Sequence, residues 1–235
     1  VGNSTGNFYR CEFTGLNGAT GGLVVTEDGH STFENCIFTP DGDADKVQGD
    51  NLSFNACQIG TLTDSVTVQE DTIGVGSVAI NRSYINIDMQ MYNGVEIALC
   101  YGKHSGRVRN RAGSYIVENC VISGPCTGKS SVFFSNFQDG GSAKIICRNN
   151  VFETATAAAF MNINATNADY LVAAGSEFFN NILSGSAAFD ADLIAADTGG
   201  TVIVSNVTAD ALIGAANTLN PDDYGYGAGS PAIGA

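Results

Sequence analysis

One short pattern recurs along the chain and limits what it can fold into: an apolar residue, two variable residues, a small polar residue, one variable residue, then a second apolar residue. It reads FYRCEF from Phe8, FENCIF from Phe33, FNACQI from Phe54, INRSYI from Ile80, VENCVI from Val117, CRNNVF from Cys147, FFNNIL from Phe178 and IVSNVT from Ile203. A repeat of this length marks a stack of supersecondary units rather than a closed core. Positions five apart on a straight strand face opposite sides, so both apolar residues point inward only if the chain bends between them. The bend holds Cys11, Cys36, Cys57, Ser83, Cys120, Asn150, Asn181 and Asn206, small residues that suit a tight corner. Stacked as parallel strands about 4.8 Å apart, these corners form a ladder of Cys and then Asn, beside a continuous interior column of apolar pairs.

The stretches between copies read as short strands, at Leu23–Thr26, Ser65–Val68, Gly94–Leu99, Ser131–Phe134 and Leu171–Ala174, joined by Gly, Asn, Asp and Thr. No segment offers an amphipathic helix of ordinary length; Ala155–Phe160 and Phe189–Ala196 are at most single turns. The expected fold is all-β, a right-handed parallel β-helix (solenoid) of about eight coils over residues 1–219, with residues 220–235 as a C-terminal closing tail. Only seven residues precede the first copy, so the expected N-terminal end of the solenoid is open and docks a neighbouring domain or subunit. A homo-oligomer is one way to cover it.

Ten Lys and Arg stand against twenty-four Asp and Glu, a formal charge of −14. An acidic surface repels nucleic acid and anionic membranes, which removes both as charge-driven partners. No apolar run is long enough for a membrane span. Seven cysteines match no C-x-x-C metal spacing and cannot all pair within one chain. Stacked, buried thiols are expected at Cys11, Cys36, Cys57 and Cys120, and Cys100 with Cys126 is the better candidate for a disulfide.

The ENC-x-I/F, RNN-x-F and FNN-x-L corners, the Gly/Asn-rich links and the closing GSPAIGA of Gly229–Ala235 resemble the right-handed parallel β-helix proteins of the pectin-lyase-like superfamily. The resemblance covers nearly the whole chain. It implies the fold and leaves activity open, because that superfamily spans polysaccharide lyases, glycoside hydrolases, adhesins and phage tail proteins.

Ligands of a β-helix meet its outer faces and loops, so the longest interval between corners, Ser83 to Cys120, is searched first. It contains Lys103, Arg107, Arg109 and Arg111, four of the ten basic residues, with His104 and Tyr101. Such a cluster in an acidic chain suits an anionic sugar, with Tyr101, His104 and Arg111 as substrate contacts and Lys103, Arg107 and Arg109 as catalytic groups of a β-elimination. Local neutralisation by Asp88, Glu96 and Glu118 is the preferred reading of the same cluster. A second cluster, Asp41, Asp43, Asp45 and Asp50, spaces carboxylates as a Ca²⁺ loop does but lacks the terminal Glu of an EF-hand; a solvated, turn-forming loop is the preferred reading over a Ca²⁺ site. NGVEIALCYGKHSG, Asn93–Gly106, is similar to a segment of β-helical alginate and chondroitin lyases, which implies Glu96 as a Ca²⁺ ligand and Lys103 as the base. The Arg-His pair and the R-x-P-x-R arrangement of related lyases are missing, and TLTDS at Thr61–Ser65 offers one Asp where hydrolases carry adjacent ones. The favoured reading is a non-catalytic rod in an extracellular, cell-surface or virion-surface assembly, contacting glycan or neighbouring subunits; the alternative is a Ca²⁺-assisted polyuronate lyase.

Overall fold

The computed structural model describes residues 6–15, 23–24, 30–41, 45–69, 76–90, 94–108, 114–127, 133–136, 144–153, 161–162, 176–184, 203–208, 218–224 and 228. Both segments read as single helical turns, and the strand at Leu171–Ala174, lie outside the described residues.

The chain winds coil upon coil. The first coil holds β1 (Gly6–Tyr9), β2 (Glu12–Thr14) and β3 (Leu23–Val24); the second holds β4 (His30–Glu34), β5 (Ile37–Thr39) and β6 (Lys46–Gln48); the third holds β7 (Asn51–Asn55), β8 (Gln58–Ile59) and β9 (Val66–Gln69). Two short coils follow, β10 (Ser77–Asn81) with β11 (Tyr84–Gln90) and β12 (Val95–Ala98) with β13 (Tyr101–Val108). Then come β14 (Ser114–Glu118), β15 (Val121–Ile122) and β16 (Phe134–Asn136), and above them β17 (Lys144–Arg148), β18 (Val151–Glu153) and β19 (Met161–Asn162). The last two levels are β20 (Glu177–Ser184) and β21 (Ile203–Thr208).

Each of these strands pairs in parallel with the equivalent strand of the next coil, which makes the molecule a parallel β-helix with three faces. The first face runs β1–β4–β7–β10–β12–β14–β17–β20–β21. The second runs β2–β5–β8–β11–β13–β15–β18–β20. The third runs β3–β6–β9–β11–β13–β16–β19.

Register puts the expected columns in place. On the first face Phe8, Phe33, Phe54, Ile80, Ile97, Val117, Cys147, Phe178 and Val204 lie one above another. Around the corner stand Phe13, Phe38, Ile59, Ile85, Gly102, Ile122, Phe152 and Leu183. The rings of Phe8, Phe33 and Phe54 stack face to face at 4.9 Å, the strand spacing expressed in side chains.

Eight bends among the described residues are made the same way. Arg10, Asn35, Ala56, Arg82, Leu99, Asn119, Asn149 and Asn180 all take φ between 49° and 56°, and each precedes its corner residue. A single left-handed residue turns the strand sharply enough for both members of an apolar pair to point inward. The corner that follows is closed by its side chain. Ser83 Oγ accepts from the Cys57 amide at 3.0 Å, and Asn150 Oδ1 accepts from the Cys120 amide at 2.9 Å. Asn181 Oδ1 accepts from both the Asn150 amide and its Nδ2.

Two expectations are corrected here. The interval Ser83–Cys120 is two coils, because Leu99 and Cys100 make a further corner and Ile97 takes its place in the column. The pattern missed this copy because Gly102 holds the second apolar position. An added Cβ at Gly102 would lie 2.0 Å from the Ile85 carbonyl oxygen, and its φ is 124°, so glycine is required there. In the last level Val204, and not Ile203, continues the column, because the register shifts between Phe179 and Ile182.

Candidate functional site

At the two short coils, loops of the neighbouring coils meet over a sheet face. Ile59 pairs with Ile85 and Val66 with Ile87, so residues 60–65 of the third coil stand where the fourth has Asn86 alone. From above, Gly102 pairs with Ile122 and Gly106 with Phe134, so residues 123–133 stand where the fifth coil has 103–105. The described parts of this surplus chain, residues 60–65 and 123–127, meet at the outer surface of β11 and β13, where the Ser65 hydroxyl donates to the Thr127 carbonyl at 2.8 Å.

Asn86 lies beneath that bridge and the half-buried Lys103 beside it. Asn86 is fully buried; its Nδ2 donates to the Thr61 carbonyl at 2.8 Å and the Thr127 hydroxyl at 3.1 Å, and its Oδ1 accepts from the Thr127 amide. Lys103 Nζ donates to the Leu62 carbonyl at 3.2 Å and to Thr127 Oγ1 at 3.4 Å. The ammonium therefore joins a loop of the third coil to a loop of the sixth. It makes no ion pair among the described residues, so the expected pairing with Asp88, Glu96 or Glu118 does not occur at Lys103. Glu118 instead meets Arg148 at 3.4 Å, and Arg148 Nε donates to Glu177 at 2.8 Å. Asp88 Oδ2 accepts from Gln90 at 2.7 Å.

Strand alternation sends the next side chain the other way. His104 follows Lys103 on β13, so it points into the lumen and is fully buried. Its Nε2 lies 2.6 Å from the Tyr115 hydroxyl, which reaches across from the first face, and Nδ1 has no partner among the described residues. Gly106 leaves the room: a Cβ there would lie 2.4 Å from that hydroxyl. Burial pushes the His104 pKa down to about 3 and holds the Tyr115 hydroxyl far above its ordinary value, so the pair is neutral. A substrate contact, the role expected of His104, has no access to this ring.

Tyr101 faces outward. Its ring packs on Tyr84 at 5.6 Å and on Tyr224 at 4.9 Å, and its hydroxyl donates to the Leu219 carbonyl at 3.1 Å. The described part of the tail, Thr218–Tyr224, thus lies along the fifth coil. Burial raises the pKa of Tyr84 and Tyr101. Arg107 belongs to β13, while Arg109 and Arg111 lie outside the described residues.

The remaining candidates are dispersed. Glu96 is exposed on the first face, separated from Lys103 by the Leu99–Cys100 corner. Asp45 Oδ2 accepts from the Asp41 amide at 2.6 Å, which closes the loop between them, while Asp45 Oδ1 has no partner among the described residues. Asp50 is buried at the start of β7, where its carbonyl accepts from the Ser77 amide at 2.6 Å. Asp43 lies outside the described residues, and no group of three or more His, Cys, Asp or Glu able to hold a metal ion occurs among the described ones.

No disulfide joins any of the seven cysteines, so the Cys100–Cys126 pairing is corrected. Cys100 is spent as a corner, where its thiol donates to the Ala98 carbonyl at 3.2 Å, and Cys126 sits in the bridging loop with its amide on Ser105 Oγ.

Asn86, Ser65 and Thr127 carry the bridge, and no motif in the sequence marks them. Compared with family models, with curated proteins and with solved structures, the chain matches none. No helix among the described residues is long and apolar enough to cross a membrane.

Proposed function

We propose that the chain is a non-catalytic β-helical rod of an extracellular, cell-surface or virion-surface assembly, whose surfaces contact glycan or a neighbouring subunit. The observation that carries this reading is the engagement of Lys103. A lyase base must have its proton-accepting atom free to reach the sugar proton, whereas the half-buried ammonium of Lys103 is engaged in donating to the Leu62 carbonyl and the Thr127 hydroxyl, joining two loops. Glu96 lies on another face and His104 in the lumen, so neither stands beside Lys103 as a metal ligand or a substrate contact. Likeness of the corner motifs and of GSPAIGA to the pectin-lyase-like superfamily fits this reading without favouring it over a lyase, since that superfamily includes adhesins and phage tail proteins as well as lyases. β1 and β2 pair with β4 and β5 and with nothing else among the described residues, so their free edges suit continuation by a neighbouring subunit or domain.

The test is incubation with alginate, pectate and glycosaminoglycans, with and without Ca²⁺, followed by ultraviolet absorbance of unsaturated product and by solution mass. No product and a stable trimer or filament are expected. A Ca²⁺-dependent product that disappears in Lys103→Ala overturns the reading in favour of a polyuronate lyase.

A further inference from the structure

The corner ladder stacks thiols in register. The Ile37 amide donates to the Cys11 carbonyl, Gln58 to Cys36, Tyr84 to Cys57 and Val121 to Cys100, so each corner sits directly above the one before. Cys11, Cys36 and Cys57 are consecutive, Ser83 interrupts, and Cys100 and Cys120 follow before Asn150 takes over. Equivalent Cβ atoms on stacked coils are separated by the strand spacing of about 4.8 Å and point the same way. A disulfide needs Cβ atoms about 3.8 Å apart, so this ladder cannot close one without pulling two coils together. A cation bound linearly between two sulfurs, at metal–thiolate bonds of about 2.3–2.4 Å, spans about 4.7 Å, which the ladder offers without movement.

The surroundings suit such a bond. Cys120 Sγ accepts the Cys100 amide at 3.4 Å, while burial holds its thiol far above the ordinary value. Backbone carbonyl oxygens lie beside the sulfurs: Phe33 and Asn55 at 3.4 and 3.3 Å from Cys57, Phe8 and Glu34 at 3.5 and 3.4 Å from Cys36, and Glu118 at 3.2 Å from Cys120. Without metal they accept the thiol protons; with metal they face a cation. Cys36, Cys57, Cys100 and Cys120 are buried, and Cys11 at the end of the column is half-buried, which gives an entry point.

We propose that the thiol column is a binding site for two-coordinate, thiophilic d¹⁰ cations, one held within Cys11–Cys36–Cys57 and one between Cys100 and Cys120. For a divalent cation two S–H bonds break, two sulfur–metal bonds form, and two protons leave to solvent; nothing is oxidised or reduced. Two thiolates and a divalent cation are neutral together, which a low-dielectric interior tolerates. Burial pushes the Cys57 thiol up to about 11, and a metal binding there displaces its proton.

The test uses mercury(II) chloride on the full chain, with proton release followed at constant pH. Dialysis against excess monothiol and X-ray absorption on the retained metal follow. Wild type should keep two cations per chain, each with two sulfurs at one distance and two protons released. Cys36→Ser, which separates Cys11 from Cys57, should keep one, Cys120→Ser one, and the double variant none. Serine is tolerated at this corner because Ser83 already occupies it. Loss of all metal to the monothiol, retention of two cations by either single variant, or one or three sulfurs per cation in the wild type overturns the proposal; the last reading does not depend on any variant folding.

Discussion

Removing Asn150 tests whether the corner ladder holds the coils together. Its Oδ1 takes the Cys120 amide at 2.9 Å, and its Nδ2 donates to the Val117 carbonyl at 2.8 Å and to Asn181 Oδ1 at 2.9 Å. The side chain is buried, so no water replaces it. Asn150→Ala leaves the Cys120 amide without this acceptor, takes a donor from Val117, and opens a small void. At about 1–3 kcal/mol for a buried polar group left unpaired, plus about 1 kcal/mol for the void, the loss should be ~2–4 kcal/mol. Asn150→Ser should cost about half as much, because Ser83 shows the hydroxyl solution: it accepts from the Cys57 amide and donates to the Asn81 carbonyl at 2.7 Å. Urea unfolding followed by circular dichroism, with the slope checked for each variant, gives both numbers. A loss under about 1 kcal/mol for the alanine variant, or equal losses for alanine and serine, would refute the ladder as a stabilising device.

Further outcomes follow from single residues. Leu99 holds φ 56° where four other coils have Asn, so Leu99→Asn should gain about 0.5–1 kcal/mol in the same assay; a loss would show that Leu99 packs on something that stabilises it. Gly102→Ala should cost more than about 2 kcal/mol, since its Cβ would strike the Ile85 carbonyl, and a tolerated alanine would contradict the register there. Lys103→Met keeps the stem but drops both donations, so it should lower stability by about 1–2 kcal/mol and speed amide exchange at Thr127; unchanged exchange would remove Lys103 from the bridge. For His104 the folded pKa of about 3 lies below its ordinary 6.5, so the unfolded chain binds the extra proton between those values. Stability is therefore unaffected above pH 6.5 and falls by up to about 1.4 kcal/mol per unit as pH drops below it. His104→Gln keeps a partner for Tyr115 and should flatten that slope; identical slopes would mean the ring is solvated.

The sequence spells out the fold where the column is built from Phe, Ile and Val and the corner from Cys or Asn, because those residues satisfy the bend and the interior at once. It falls silent at the fifth coil. There Gly102 replaces the apolar partner and Leu99 stands where other coils carry Asn, Arg or Ala, so two coils read as one long interval. The site inherited that error. Once Ile97 and Gly102 are known to mark a coil, alternation sends Lys103 outward and His104 into the lumen, yet the acceptors of Lys103 are a backbone carbonyl at Leu62 and a hydroxyl at Thr127. Backbone acceptors on loops from other coils leave no pattern in a sequence.

Lys103 holds its place only if Ile97 is a full level of the stack, and methyl contacts measured by nuclear Overhauser effects decide that directly. With Ile, Leu and Val methyls labelled, Ile97 should contact both Ile80 and Val117, and those two should not contact each other. Direct contact between Ile80 and Val117, with Ile97 apart, would make residues 84–116 a single excursion and dissolve the bridge, the lumenal histidine and the function drawn from them.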